Sequence, residues 1–259
     1  MKKILTSLAV VATLTSTLSA DFARVEMGAG VWGQTPSGYA TRTDGDGFLN
    51  LDGTYRSSEN DSQEMYAWVL IKHPIPIVPN LRLEYVSVYD EGLTTGDVNG
   101  IGVTDSPTSL DTKQYDIIPY YNILDNTFWT TIDLGLDIKI IQSHTIVDAV
   151  DTTGLGGIAV DTTIYDSTDT TVVPLLYARA RVQVPMTGFG AETDVKVISD
   201  GTNTLYDIRA KVDYTFDIFP IVQPALEVGY RVQQLTVDDG DTQVDLNYAG
   251  LYAGLMLRF

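Results

Sequence analysis

A secretory-type leader, period-two alternation in ten segments and connections that alternate between short and long predict the fold class. They describe an all-β chain, a transmembrane antiparallel up-and-down β-barrel of about ten strands. Residues 1–20 are expected to be a signal peptide, and residues 21–259 the barrel. Lys2 and Lys3 form a basic start, Ile4 to Leu14 a short apolar core, and Thr15 to Ala20 a small, polar cleavage region.

The first segment, 22–34, opens the barrel, and 63–73 follows a long connection. Both faces of 63–73 are apolar; Lys72 suggests that Tyr66, Trp68 and Leu70 face inward with it. Segments 80–90 and 112–123 come next. Segment 128–143 sets Ile132, Leu134, Leu136, Ile138 and Ile140 against Asp133, Gly135, Asp137 and Lys139. Segment 171–184 sets Ala178, Ala180, Val182 and Val184 against Tyr177, Arg179, Arg181 and Gln183. After 189–199, segment 204–217 is the cleanest: Tyr206, Ile208, Ala210, Val212, Tyr214 and Phe216 oppose Asp207, Arg209, Lys211, Asp213 and Thr215. Successive side chains on a strand point to opposite faces, so this is one apolar wall and one charged wall. Segments 223–236 and 244–259 complete the count.

Short connections fall at 74–79, 124–127, 185–188 and 218–222. Long ones fall at 35–62, 91–111 and 144–170, with shorter loops at 200–203 and 237–243 on the same side. Loop 35–62 is long enough for a short helix or a plug, and 144–170 for a hairpin continuing its two strands. The count falls to eight if 63–73 and a neighbour fail, and rises to twelve if 144–170 forms its own pair.

A two-layer soluble sandwich alternates in the same way, with its charged face in water. The distribution of charge favours the barrel. Of the 14 basic residues beyond Lys3, eleven lie on the polar faces: Arg24, Lys72, Arg82, Lys139, Arg179, Arg181, Lys196, Arg209, Lys211, Arg231 and Arg258. The same faces carry ten acids: Glu26, Glu84, Asp116, Asp133, Asp137, Glu192, Asp194, Asp207, Asp213 and Glu227. A narrow lumen requires such balance, because an unpaired buried charge is costly. A packed polar network is therefore expected, not an open channel. The remaining 24 of 34 acids lie in loops, turns and strand ends, so the extracellular loops are acidic. On the outward face, Tyr121, Tyr214, Phe216 and Phe259 near the turn end and Tyr115, Tyr206 and Tyr230 toward the other would form two aromatic girdles.

Acids outnumber bases 34 to 16, which argues against nucleic acid as a partner. Two His and no Cys exclude a zinc finger, an iron–sulfur cluster and a thiol nucleophile. The longest apolar run, Met65 to Ile71, is too short for a membrane helix. Asp44-Gly45-Asp46-Gly47 and Asp238-Asp239-Gly240-Asp241 could offer carboxylates to calcium, yet they lack EF-hand spacing, and Asp-Gly is foremost a turn signal. No metal and no cofactor is expected.

The chain ends Tyr252-Ala-Gly-Leu-Met-Leu-Arg-Phe259, with Ala249, Leu251, Ala253, Leu255, Leu257 and Phe259 on one face. This end resembles the C-terminal strand of bacterial outer-membrane proteins, and the whole chain resembles the small proteobacterial outer-membrane β-barrel proteins. The resemblance implies a bacterial outer-membrane location, lipid and lipopolysaccharide as surroundings, and recognition of Leu255, Leu257 and Phe259 by the barrel assembly machinery. It implies no activity.

The expected role is structural or surface-binding, by a monomer that is not an enzyme. One rival is a narrow channel for a small solute or apolar ligand, with a path along Gly28, Gly30, Gly135, Gly229, Gly250 and Gly254. The other is a rim hydrolase using His144 beside Ser143, although adjacent residues of a strand face opposite ways and no hydrolase motif surrounds them. His73, before Pro74, reads as structural.

Overall fold

The computed structural model describes residues 23–42, 48–50, 63–75, 77–98, 101–151, 160–219, 221–238, 240 and 242–259. The leader and the Asp44–Gly47 turn lie outside the described residues, as do Asp239 and Asp241. The strands are β1 (Arg24–Arg42), β2 (Phe48–Asn50), β3 (Gln63–Lys72), β4 (Asn80–Val98), β5 (Ile101–Thr127), β6 (Thr130–Asp151), β7 (Val160–Gln183), β8 (Phe189–Ser199), β9 (Thr204–Thr215), β10 (Gln223–Asp238) and β11 (Thr242–Arg258). Each pairs antiparallel with its neighbours, and β11 returns to β1, closing a barrel ten strands around. The seam runs from Glu26 opposite Arg258 to Arg42 opposite Thr242. It is tied at its end by two bonds between Val25 and Phe259, Phe259 N–H donating to Val25 at 2.9 Å. Short β2 continues the position of β3 between β1 and β4, so the wall is extended there, not widened.

The side chains are arranged inside out relative to a soluble protein. Along β9, Asp207, Arg209, Lys211 and Asp213 are buried, and Ile208, Val212 and Tyr214 are exposed. The same holds on β6, where Asp133, Asp137 and Lys139 are buried and Ile132, Leu134, Leu136 and Ile138 face out. A soluble sandwich would show the reverse, so this inversion excludes it. From Ile132 to Ile140 is eight residue steps, which at roughly 3.3 Å each and a tilt of about 40° span ~20 Å. The height matches the apolar band of a barrel in lipid.

The upper edge of the band is set by register. Tyr85, Tyr115, Ile140 and Val172 are neighbours in one outward row. Two residues further along, the row is Ser87, Lys113, Gln142 and Thr170. The outer face turns polar across a single step.

At the other end the turns are apolar. Ile77, Phe128, Trp129, Met186 and Phe219 are all exposed, Phe128 at 87 %. Phe128 and Trp129 form the two-residue tip between Thr127 and Thr130, and both have positive φ (51° and 61°). Such a tip ordinarily takes Asn-Gly, so two aromatics there represent strain. His73 is part of the β3–β4 turn: its Nδ1 accepts the Ile75 N–H at 3.1 Å, which leaves Nε2 to donate to the Pro79 carbonyl at 3.0 Å.

Among the described residues, the connections read as long loops are strand. β1 runs to Arg42, β4 to Val98 and β5 from Ile101, and β6 and β7 extend to Asp151 and from Val160. Residues 91–111 and 144–170 thus carry hairpins that rise beyond the apolar band, as the second was expected to. No helix forms among the described residues of 35–62. The physical reason is pairing: Thr and β-branched residues of these stretches sit opposite one another, as Val98 opposite Ile101 and Thr108 opposite Val147. The short connection at Asp200 is closed locally. Its carboxylate accepts the backbone N–H of Asn203 at 2.7 Å and of Thr202 at 3.0 Å, and these bonds hold the carboxyl below its usual range.

The inward glycines do not leave a path. A Cβ at Gly28 would lie 2.5 Å from the Trp68 indole nitrogen, and one at Gly229 would lie 2.6 Å from the Tyr252 ring. These positions seat aromatic rings that lie across the lumen. Gly28→Leu and Gly229→Val are therefore expected to lower stability by about 1–3 kcal/mol through overpacking. Outward Gly33, with only a backbone oxygen at 3.8 Å, is expected to tolerate Ala within about 0.5 kcal/mol. Reversible urea unfolding of the refolded barrel in lipid vesicles checks all three.

Candidate functional site: the charged lumen and its mouth

Alternation places two to four buried charged residues on the inward face of each strand from β6 to β10, and closure brings them together. Of the nineteen lumen positions named from sequence, eighteen are buried: Glu26, Arg82, Glu84, Asp133, Asp137, Lys139, Arg179, Arg181, Glu192, Asp194, Lys196, Asp207, Arg209, Lys211, Asp213, Glu227, Arg231 and Arg258. Arg24 stands at the rim, 37 % exposed, 3.4 Å from Glu26.

The charges form one connected network. Near the turn end, Arg258 reaches Asp213 at 2.8 Å and Glu26 at 3.6 Å. Asp213 also holds Arg181 at 2.7 Å. Glu192 is the hub: Arg179 (2.7 Å), Arg181 (3.2 Å), Arg82 (3.4 Å) and Lys211 (3.5 Å) converge on its carboxylate. Arg179 also grips Asp133 at 2.6 Å. One level up, Arg82 (2.5 Å) and Arg209 (3.0 Å) share Glu84, and Arg209 binds Asp194 at 2.8 Å. The uppermost level is the chain Glu84–Lys196–Asp116–Lys139–Asp207–Arg231, with spacings of 2.6, 2.5, 2.7, 3.5 and 2.5 Å.

Aromatic side chains fill what the ions leave. Glu227 accepts Tyr66 O–H at 2.7 Å, Trp68 Nε1–H at 3.1 Å and Lys211 at 2.8 Å. The Lys211 ammonium lies 4.4 Å from the Trp68 ring centre, and Arg231 lies 5.2 Å from that of Trp32. Cations over ring faces gain attraction where water is excluded. Between Trp32, Tyr66, Arg209, Arg231 and Tyr252 there is no room for a water.

Nine of the ten buried network acids have a cation within 4.0 Å among the described residues. Asp137 is the exception: it is fully buried, and neither carboxylate oxygen has a hydrogen-bond partner there. Asp116, central to the upper chain, was legible as an inward acid. The bridging amides and rings were not singled out: Asn122 donating to Asp133, Gln114 pairing with Gln233, and Trp32. Their only sequence signal is parity with the charges. Lys72 sits at the turn-end rim, 2.5 Å from Asp125.

Above the ions the inward side chains change character. Gln114 and Gln233 exchange two amide hydrogen bonds, at 3.1 and 2.9 Å, across the barrel. Over this floor opens a basin of about 90 Å³ whose lining includes Leu110, Ile141, Leu205, Leu235, Leu246 and Tyr248. Ser143 lines it too, so its hydroxyl faces the lumen, while His144 lies on the other face and contacts Asp166 at 2.8 Å. The two side chains of the rim-hydrolase idea thus point apart. Among the described residues, no group of three His, Cys, Asp or Glu could hold a metal ion.

These features define a closed, ten-stranded antiparallel barrel with an apolar exterior and an ion-filled interior. No protein-family model matches the chain, and no curated protein matches it. Among solved structures it is similar to the toluene transporter TodX of Pseudomonas putida, at 10 % identity over 95 % of this chain and 91 % of that one, TM-score 0.30. It is also similar to a FadL homologue of Pseudomonas aeruginosa, at 12 % identity over 92 % of this chain and 89 % of that one, TM-score 0.34. At these scores nothing about what those proteins carry transfers to this chain.

Because Glu192 neutralises four cations, Glu192→Gln is expected to cost about 3–5 kcal/mol, the penalty of stranding buried charge. Lys72→Met breaks a rim pair and is expected to cost less than about 1 kcal/mol. Asp137→Asn removes a buried charge with no described ion pair and is expected to be neutral or stabilising. Guanidinium midpoints of the three refolded variants rank them.

Proposed function

We propose that this chain is a non-conducting barrel of the bacterial outer membrane, with a structural or surface-binding role and no catalytic one. The observation that carries the reading is the inversion: an apolar band outside and a continuous ion network inside. Water cannot select such an exterior, whereas lipid does. The apolar turn tips at Ile77, Phe128, Met186 and Phe219 would lie at the inner headgroup level. The paired β4–β5 and β6–β7 extensions would stand in the extracellular space, where their acidic residues meet lipopolysaccharide through bridging cations. Surface loops and hairpins on a rigid scaffold are where a binding role resides.

On this reading the assembly machinery takes up the chain through its last strand. Leu255 points outward at 67 % exposure and Phe259 ends the seam against Val25. Removing Phe259 deletes two backbone bonds from a seam of many, so the truncated chain should refold in vitro and yet reach the outer membrane poorly in cells. Heat-modifiable migration reads the first outcome and membrane fractionation the second.

The closed lumen is tested in planar bilayers. The refolded wild-type barrel is expected to show no steady single-channel current at neutral pH. Regular openings from a heat-modifiable, fully folded preparation would replace this reading with the narrow channel.

A further inference from the structure

We propose that the basin above the ion network is a binding site for a small, uncharged, mostly apolar molecule that carries one hydroxyl group. The proposal goes beyond the closed-barrel reading and uses it only to say where the guest stops.

The first argument is the change of side-chain type along the lumen. From the turn end up to Lys139, Asp207 and Arg231 the lumen is filled by ion pairs, with fully buried apolar side chains such as Val86, Ile118 and Met256 packed among them. Two to four residues beyond Lys139, Asp207 and Arg231 the ions on these strands stop, and the inward side chains are Ile141 on β6, Leu205 on β9 and Leu235 on β10. On β5 and β11 the same level carries Leu110 and Leu246. A water-filled mouth has no use for these side chains. If they served only to fill the mouth they would meet across it, as Trp32, Tyr66 and Tyr252 do below. They leave about 90 Å³ between them instead. Mostly apolar walls around a space of this order favour apolar guests: an engineered apolar cavity of about 150 Å³ holds benzene.

The floor sets the rest of the chemistry. Gln114 Nε2 spends one N–H on Gln233, and Gln233 Oε1 receives that single bond among the described residues. One N–H and one lone pair therefore remain to face a guest. A hydroxyl can use both, accepting from Gln114 and donating to Gln233. The charged groups of the floor are already engaged, Lys139 with Asp116 at 2.7 Å and Asp207 with Arg231 at 2.5 Å. An ionic guest would have to break one of these pairs, which selects for a neutral one.

Binding of 4-fluorophenol to the full-length barrel in lipid nanodiscs, followed by fluorine NMR, tests the site; empty nanodiscs correct for partition into lipid. Wild type should bind saturably, and unlabelled phenol should compete. Ser143 lines the basin from its edge, and Ser143→Phe should fill it and weaken binding at least tenfold. Gln233→Leu should erase the preference for 4-fluorophenol over fluorobenzene. Leu235→Ala enlarges the basin and should shift preference toward 6-fluoro-2-naphthol, which keeps a readout if the filling variant fails to show heat-modifiable migration. Uptake that is unsaturable and equal to that of empty nanodiscs overturns the proposal, as does binding unchanged in folded Ser143→Phe. Conductance of the same preparation separates the two readings. A barrel that binds and conducts keeps the basin and loses the plug, and one that does neither keeps the plug and loses the basin.

Discussion

The structure depends on the neutralisation of charge in a space closed to bulk solvent. A ten-stranded wall encloses an interior little wider than two layers of side chains. Every ion placed there must find its counter-ion across the lumen, because bulk solvent is not available to solvate it. The result is the hub at Glu192, drawn on by four cations from β4, β7 and β9. It reaches Glu84 through Arg82, and from Glu84 Lys196 leads to Asp116. Arg82–Glu192, Glu84–Lys196 and Asp116–Lys196 tie β4 and β5 to β8, which is not their neighbour in the sheet, so the network braces the barrel across its interior, whereas backbone bonds join strands only around the circumference.

That bracing explains the company the ions keep. Gln and Asn supply bonds where a further charge would unbalance the set, as Asn122 does for Asp133 and Gln233 for Asp207. Large rings occupy the gaps, and they need room at the wall, which Gly28 and Gly229 provide. Position 137 departs from the pattern. A fully buried carboxylate with no described hydrogen-bond partner adds nothing evident to the bracing, and the ion pairs described give no physical account of it.

Much of this is legible in the sequence. The β9 pattern alone implies a charged wall and an apolar wall, and near-equal numbers of bases and acids on the charged walls imply mutual pairing. The reach of the strands was underestimated at residues 91–111 and 144–170. Polar, Thr-rich stretches look like loops when strand is recognised by an apolar face, and a hairpin standing in water has no such face. The glycines give the rival channel its apparent path, because sequence shows which side chain is missing and not which ring fills its place. The basin was also missed: Leu110, Leu205, Leu235 and Leu246 lie on separate strands and meet only when the barrel closes.

What the sequence by itself determined is the set of faces. Period two assigns each residue to one wall or the other, since a one-residue shift would turn every side chain over. It does not assign the walls to inside and outside, because a sandwich and a barrel read alike at that level. Only the tertiary structure decided this, since closure from β1 to β11 turns one wall into the lumen and leaves the other outside. Closure also decided which charges pair, because ion pairs act over about 3 Å and register sets which residues come that near. The sequence specifies a balanced population of charges, and the register of ten paired strands turns it into a particular network.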